Sequence, residues 1–172
     1  TKKGDRILVP SPTYRPFRAL CDLNDRVMEE YELGYENGSY FLDRERFLES
    51  AKRSQMILFC SPHNPSGLVF TREELEFVLK TAKEEGIPVV SDEIHSDLVH
   101  PGFTHIPMGK ANENIGAETV TLMAPSKSFN VAGEHSAMAF FSSGATWREF
   151  HHARKALWVS EPGYLIGELT ES

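Results

Sequence analysis

Cysteine is scarce in this chain: Cys21 and Cys60 are the two thiols in 172 residues. Two cysteines do not make the disulfide framework of a small secreted domain. Cys60 closes the run Met56-Ile57-Leu58-Phe59-Cys60 and reads as a small, reduced, buried hydrophobe. Clustered positive charge is lacking as well. Lys and Arg total 18 against 25 Asp and Glu, a formal net charge of −7. The short basic runs are Lys2-Lys3 and Lys52-Arg53, which excludes the basic stripe a nucleic-acid surface needs. No apolar run reaches the ~18–20 residues of a membrane span. The polar, charged opening does not read as a signal peptide. Neither a Gly-x-Gly-x-x-Gly nor a Walker sequence follows any apolar run, which sets aside a nucleotide-binding domain. There is no internal repeat and no low-complexity segment. A cytoplasmic location is expected.

What is present alternates between strand and helix signals. Ile7-Leu8-Val9 reads as a strand broken by Pro10 and Pro12, followed by a short helix over Phe17 to Leu23. Arg26 to Leu33 reads as a second strand, and Asn37-Gly38 is a turn signal. Asp43 is placed to cap a helix running to Lys52, with Phe47 and Leu48 inward. Met56 to Cys60 is continuously apolar, as a strand buried on both faces must be. Thr71-Arg72-Glu73-Glu74 is a capping box, Leu75, Val78, Leu79 and Ala82 follow at helical spacing, and Gly86 ends the helix. Ile87–Val90, Thr119–Met123 and Ala137–Phe141 read as further strands, and Trp147 to Trp158 as an amphipathic helix. The fold class is α/β, a mostly parallel sheet sandwiched by helices. Both ends read as cut, with the last residues falling in a possible helix.

Ligands of such sheets sit beyond the carboxyl ends of the strands, so the residues after each apolar run matter most. They are Pro10-Ser11-Pro12-Thr13-Tyr14, Ser61-Pro62-His63-Asn64-Pro65-Ser66-Gly67, Ser91-Asp92-Glu93-Ile94-His95-Ser96-Asp97 and Ala124-Pro125-Ser126-Lys127-Ser128-Phe129-Asn130. All four clusters are expected along one edge of one sheet. That edge offers a lysine, an Asp-Glu pair, an asparagine and a tyrosine. A lysine at a partly dry strand end can be a nucleophile or base. A carboxylate can hold a cationic heterocycle, and an aromatic ring can stack on it. The set suits pyridoxal phosphate, whose aldehyde condenses with lysine and whose ring nitrogen wants an acidic partner.

With these residues in view, the chain resembles the fold-type I pyridoxal-phosphate enzymes of the class I/II aminotransferase superfamily, and within it the cystathionine β-lyase-like branch. That branch carries N-P-[TS]-G, D-E-I-H-x-D and S-K-[ST]-F-N in this order. Here they stand as Asn64-Pro65-Ser66-Gly67, Asp92 to Asp97 and Ser126 to Asn130, with Pro12 to Phe17 also matching. The resemblance implies that Lys127 forms the Schiff base with pyridoxal 5′-phosphate and then removes the substrate α-proton. It implies that Asp92 pairs with the ring nitrogen, that Asn64 bonds the ring 3-oxygen, and that Tyr14 stacks on the ring. His95 stands where many aminotransferases carry a tyrosine that reaches the 3-oxygen, and Ser126 is a phosphate contact. Two positions depart from the common pattern: Ala124 replaces a serine, and His135 an arginine that holds phosphate. The chain would then be the central part of a large pyridoxal-phosphate-binding domain, spanning 1–172. A phosphate-cradling segment would precede it and a carboxyl-terminal small domain would follow.

Plainer readings accompany each residue. A lone lysine after a strand is usually surface, and only the other three clusters lift Lys127 above that. Asp92 alone would be a cap or ion-pair partner, and Asn64 before Pro65 a turn former. His95, Asp97 and His100 match no common zinc spacing, so no metal is expected. Tyr31, Tyr35 and Tyr40 read as strand packing, Trp147 and Trp158 as core or interface, and His151-His152 as solvated helix surface. Three functions stay open: a carbon–sulfur β-lyase of the cystathionine type, an aminotransferase, or a regulatory protein that keeps the fold without turnover. The resemblance also implies a homodimer acting on a small amino-acid substrate. The 172-residue chain by itself is expected to be poorly soluble and without lyase turnover, checked by assaying the purified chain for pyruvate release from cystathionine.

Overall fold

The computed structural model describes residues 1–156. Six strands form the main sheet: β1 (Arg6–Ser11), β2 (Val27–Glu32), β5 (Met56–Cys60), β6 (Val89–Asp92), β7 (Thr119–Met123) and β8 (Met138–Phe141), in the order β2-β1-β5-β6-β7-β8. All neighbours run parallel except β8, which is antiparallel to β7. A hairpin of β3 (Gly34–Glu36) and β4 (Ser39–Phe41) stands apart. Its turn needs positive φ at both central residues, which Asn37 (51°) and Gly38 (81°) supply. Tyr35 and Tyr40 are cross-strand partners there, with ring centroids 4.8 Å apart.

The helices are α1 (Arg15–Leu23), α2 (Arg44–Ala51), α3 (Arg72–Glu85), α4 (Met108–Ala111) and α5 (Gly144–Ala156). Successive residues of a strand face opposite sides, and two cores result. Leu8, Ile57, Phe59 and Val89 pack with Phe47 of α2, Leu75, Val78 and Leu79 of α3, and Met108 of α4. Ile7, Val9, Leu58 and Cys60 pack with Phe17 and Cys21 of α1. Burial on both faces is why β1 and β5 are uninterrupted apolar runs. On the first face Phe59 lies 4.6 Å from Phe70, and Tyr31 meets Phe47 edge-on at 5.1 Å.

Several boundaries differ from the sequence reading. Pro10 does not break β1, which continues to Ser11. β5 pairs with β1 only at Ile7 and Leu8, so the missing N–H of Pro10 falls on an unpaired flank, where proline is tolerated. β6 begins at Val89 and reaches Asp92, so that residue is the last of the strand rather than part of the following loop. The four-residue α4 carried too little periodicity to be read. In α5 no residue is buried among those described, and Trp147 is 48% exposed, stacked on His151 at 5.1 Å rather than sitting in this chain's core. The far end of that helix reading, with Trp158, lies outside the described residues.

α3 begins with a reciprocal cap: Glu74 N–H donates to Thr71 Oγ1 at 3.2 Å, and Thr71 N–H donates to Glu74 Oε2 at 2.8 Å. The other Glu74 oxygen accepts the Leu42 N–H at 3.3 Å, joining the helix start to the segment before α2. Thr71→Ala is expected to cost about 1 kcal/mol of stability. Glu74→Ala should cost more, because it also frees the Leu42 N–H. Urea unfolding of the two variants of the whole protein checks the order.

Candidate functional site

Chain direction along the sheet reverses at β1: β2 lies on one side of it and β5 on the other. Crevices in parallel sheets open at such a switch, outside the carboxyl ends of the strands. The segments after β1, β5, β6 and β7 leave from that edge, carrying Tyr14, Asn64, Asp92 and Lys127. Cys60 is the register partner of Asp92, and Asp92 that of Leu122. The ladder continues past the strands, with Ser61 N–H donating to Asp92 O at 3.0 Å and Glu93 N–H to Leu122 O at 2.8 Å. The edge is therefore a hydrogen-bonded frame rather than a set of free loops.

The Asp92-Glu93 pair does not act as one site. Strand alternation sends the two carboxylates to opposite faces. Asp92 shares the α1 face with its partner Cys60, whose thiol burial pushes up to about 12. Burial also raises the Asp92 carboxyl above its ordinary range, while the Ile94 N–H, donating at 3.2 Å, and the nearby His95 imidazole pull it back. Glu93 is fully buried on the other face. Its carboxylate accepts from Ser91 Oγ at 2.9 Å and Met108 N–H at 2.8 Å, and meets His105 Nε2 at 2.8 Å.

Tyr14 occupies the cap position before α1, exposed, 5.5 Å edge-on from Phe17. Beside it Thr13 Oγ1 is buried without a hydrogen-bond partner among the described residues. Asn64 is half-buried in a loop fastened by His63 and Gly67: His63 N–H donates to Leu68 O, and Gly67 N–H to His63 O, both at 2.8 Å. Ser66 Oγ lies 2.7 Å from His63 Nδ1 and accepts the Leu68 N–H at 3.2 Å, so its hydroxyl fastens the loop. Burial depresses His63 to about 4, so the ring is neutral. Lys127 is exposed in a turn closed by Phe129 N–H to Pro125 O (2.9 Å) and Val131 N–H to Ser126 O (3.1 Å). Ser126 is half-buried in the same turn, while His135 is exposed with φ 50°. Among the described residues no group of three or more His, Cys, Asp or Glu is gathered to hold a metal ion. No described helix is long and apolar enough to cross a membrane.

Sequence reasoning missed the Glu93–His105 pair and the link from Asp97 to Ser128, 2.5 Å between Asp97 Oδ2 and Ser128 Oγ. Nothing local marked either pair, because β6 is covered on both faces and each partner lies far along the chain.

Residues 1–165 match the family described as aminotransferase class I and II. The chain belongs to that family. Among curated members it is 38% identical over 135 residues to cystathionine beta-lyase PatB of Bacillus subtilis, covering 77% of this chain and 35% of that protein. A solved pyridoxal-phosphate-bound putative aminotransferase of Clostridium difficile superimposes with a TM-score of 0.91 at 31% identity, over 95% of this chain and 43% of that one. Cystalysin of Treponema denticola, which contains a pyridoxal 5′-phosphate cofactor, gives 0.86 at 33%, over 91% and 40%. The chain thus spans well under half the length of these family members, and its sheet is the mostly parallel sheet of their fold.

The Asp92 shift fixes a direction for stability. A carboxyl whose folded pKa is raised holds its proton to higher pH than in the unfolded chain. Stability then falls as pH rises from the ordinary 3.8 through the raised value. Asp92→Asn is expected to raise the urea midpoint of the cofactor-free protein at pH 7, and the advantage should vanish as pH is lowered toward 3.8.

Proposed function

We propose that this chain is the central, cofactor-bearing part of the large domain of a pyridoxal-phosphate-dependent carbon–sulfur β-lyase of the cystathionine type. The observation that carries the reading is Asp92. It is a half-buried carboxyl that accepts one backbone N–H and, among the described residues, makes no salt bridge, with the His95 imidazole nearby, on the same sheet edge as the Lys127 turn. A cationic ring would compensate the charge that burial disfavours, and the unpartnered Thr13 hydroxyl beside Tyr14 marks spare bonding capacity at that edge. The donor set fits the cofactor. When bound, pyridoxal phosphate supplies an electron sink for the carbanion formed at the substrate α-carbon.

The roles follow for this chain's own groups. Lys127 Nζ would hold the cofactor covalently and, as a free amine, would take the substrate α-proton. Asp92 keeps the ring nitrogen protonated. Asn64 and His95 would orient the ring, Tyr14 would cover it, and Ser126 would help hold the phosphate. A thioether amino acid and water give a thiol, pyruvate and ammonia. The lyase outcome is favoured by the likeness to a cystathionine β-lyase and to cystalysin. An aminotransferase remains the second reading, because the fold superimposes best, of these structures, on a putative aminotransferase. We infer also a cytoplasmic homodimer acting on a small amino acid; both cysteines are free and buried.

The test uses the full reading frame that contains this chain. Borohydride reduction in the presence of pyridoxal phosphate is expected to leave a pyridoxyl group on Lys127 by mass spectrometry, with pyruvate released from cystathionine. Lys127→Ala should lose the adduct and lower turnover about 10²- to 10⁴-fold. A folded protein without the adduct would favour the regulatory reading. An adduct with amino-group transfer and no pyruvate would favour the aminotransferase.

A further inference from the structure

We propose that Asp97 is a positioning residue for Lys127, acting through the hydroxyl of Ser128. The inference rests on the reading of Lys127 as the cofactor-bearing lysine. Two features of the fold lead to it.

The first is how the Lys127 turn is held. Its own two backbone bonds, Phe129 to Pro125 and Val131 to Ser126, close it on itself and tie it to nothing else. Among the described residues, the one hydrogen bond that leaves residues 124–131 runs from Ser128 Oγ to Asp97 Oδ2, at 2.5 Å. That length is typical of a hydroxyl donating to a charged carboxylate, among the stronger hydrogen bonds in proteins. Ser128 is the residue after Lys127, so a bond on its side chain restricts rotation of the backbone from which the lysine projects.

The second feature is what holds Asp97. It belongs to a loop from Glu93 to Met108 whose two ends meet at one carboxylate. Glu93 Oε1 accepts the Met108 N–H, and Glu93 Oε2 meets His105. Both side chains are nearly or fully buried, at 7% and 0% exposure for His105 and Glu93. Opening that base leaves a buried carboxyl without its hydrogen-bond partners, which is costlier than breaking a surface contact. Within the loop, Ser96 N–H to Glu93 O (3.0 Å) and Leu98 N–H to His95 O (2.9 Å) form two overlapping turns, the second of which contains Asp97. The exposed Asp97 thus stands on a closed loop with a rigid base, the Ω-type arrangement. Rigidity passes from the buried Glu93, through the loop, across one charge-assisted bond, to the lysine turn. Asp92 and His95 are carried by the same loop base. The carboxylate side and the lysine side of the site are joined by the β6–β7 ladder, and past the end of that ladder by the bond between Asp97 and Ser128.

The experiment compares the full-length protein with Ser128→Ala, Ser128→Thr, Asp97→Ala and the double variant Asp97→Ala with Ser128→Ala. Three quantities are read: the rate at which pyridoxal phosphate becomes borohydride-trappable on Lys127, the visible circular dichroism per trapped cofactor, and the thermal midpoint. Loss of a positioning bond is expected to slow attachment roughly tenfold and to weaken the dichroism in both single alanine variants. Ser128→Thr should restore both, and the double variant should be no slower than either single one, because the two residues act as one unit. A lowered thermal midpoint with attachment rate and dichroism unchanged would overturn the inference and leave the proposed function standing. If Asp97→Ala does not fold, Ser128→Ala removes the same bond from the other side and decides alone. Absence of any Lys127 adduct in the wild-type protein would overturn the proposed function, and this inference with it.

Discussion

The ladder that pairs Cys60 with Asp92, and Asp92 with Leu122, fixes where every group at the candidate site can be. Parallel pairing gives each of β1, β5, β6 and β7 its carboxyl end on the same edge. Register then decides which residue is the last one held by the sheet. Moving β6 by one residue would exchange the faces of Asp92 and Glu93. Asp92 would then meet Met108 and His105, and Glu93 would turn toward Cys60 and α1. Neither would have the partners it now has. Val89 and Val90 face different cores but, being the same residue, do not oppose that slip; the hydrogen bonds of Glu93 to Ser91, Met108 and His105 do.

Much of this was readable from the chain. The run Met56–Cys60 coincides with β5 residue for residue, because a strand covered on both faces is apolar throughout and bounded sharply by polar residues, and Thr119–Met123 coincides with β7, where β-branched threonines alternate with apolar residues. Convergence of the four polar clusters followed from parallel topology, without knowing the strand order. What could not be read was side-chain parity and long-range pairing. Asp92 and Glu93 are adjacent letters, and nothing local says that one faces α1 while the other is buried among Ser91, His105 and Met108. His105 is twelve residues from Glu93 and Ser128 is 31 from Asp97. Such bonds belong to the folded chain alone. Pro10 misled for a related reason: a proline is harmless or fatal depending on whether its flank is paired, and pairing is a tertiary fact.

The two neighbouring carboxylates illustrate how environment assigns different tasks to the same functional group. Glu93 is saturated with donors and serves to close a loop. Asp92 is left short of them, with its charge disfavoured by burial. A protein that only needed stability would have no use for the second arrangement. Strain of this kind is what a site tolerates when a ligand is to supply the missing partner.

The reversal of β8 has a consequence for chain entropy. Met138 pairs with Met123 at the edge that bears the lysine turn, and Phe141 pairs with Val120 deeper in the sheet. The segment carrying Lys127 therefore leaves and re-enters the sheet at the same place. It is a local excursion between neighbouring strands, not a crossover, and closing it costs little configurational freedom. Tyr14, Asn64 and Asp92 each stand at the start of a crossover to a parallel strand. Lysine placement is thus a short-range event in the sequence, while assembly of its three companions depends on contacts the chain must make over much longer separations.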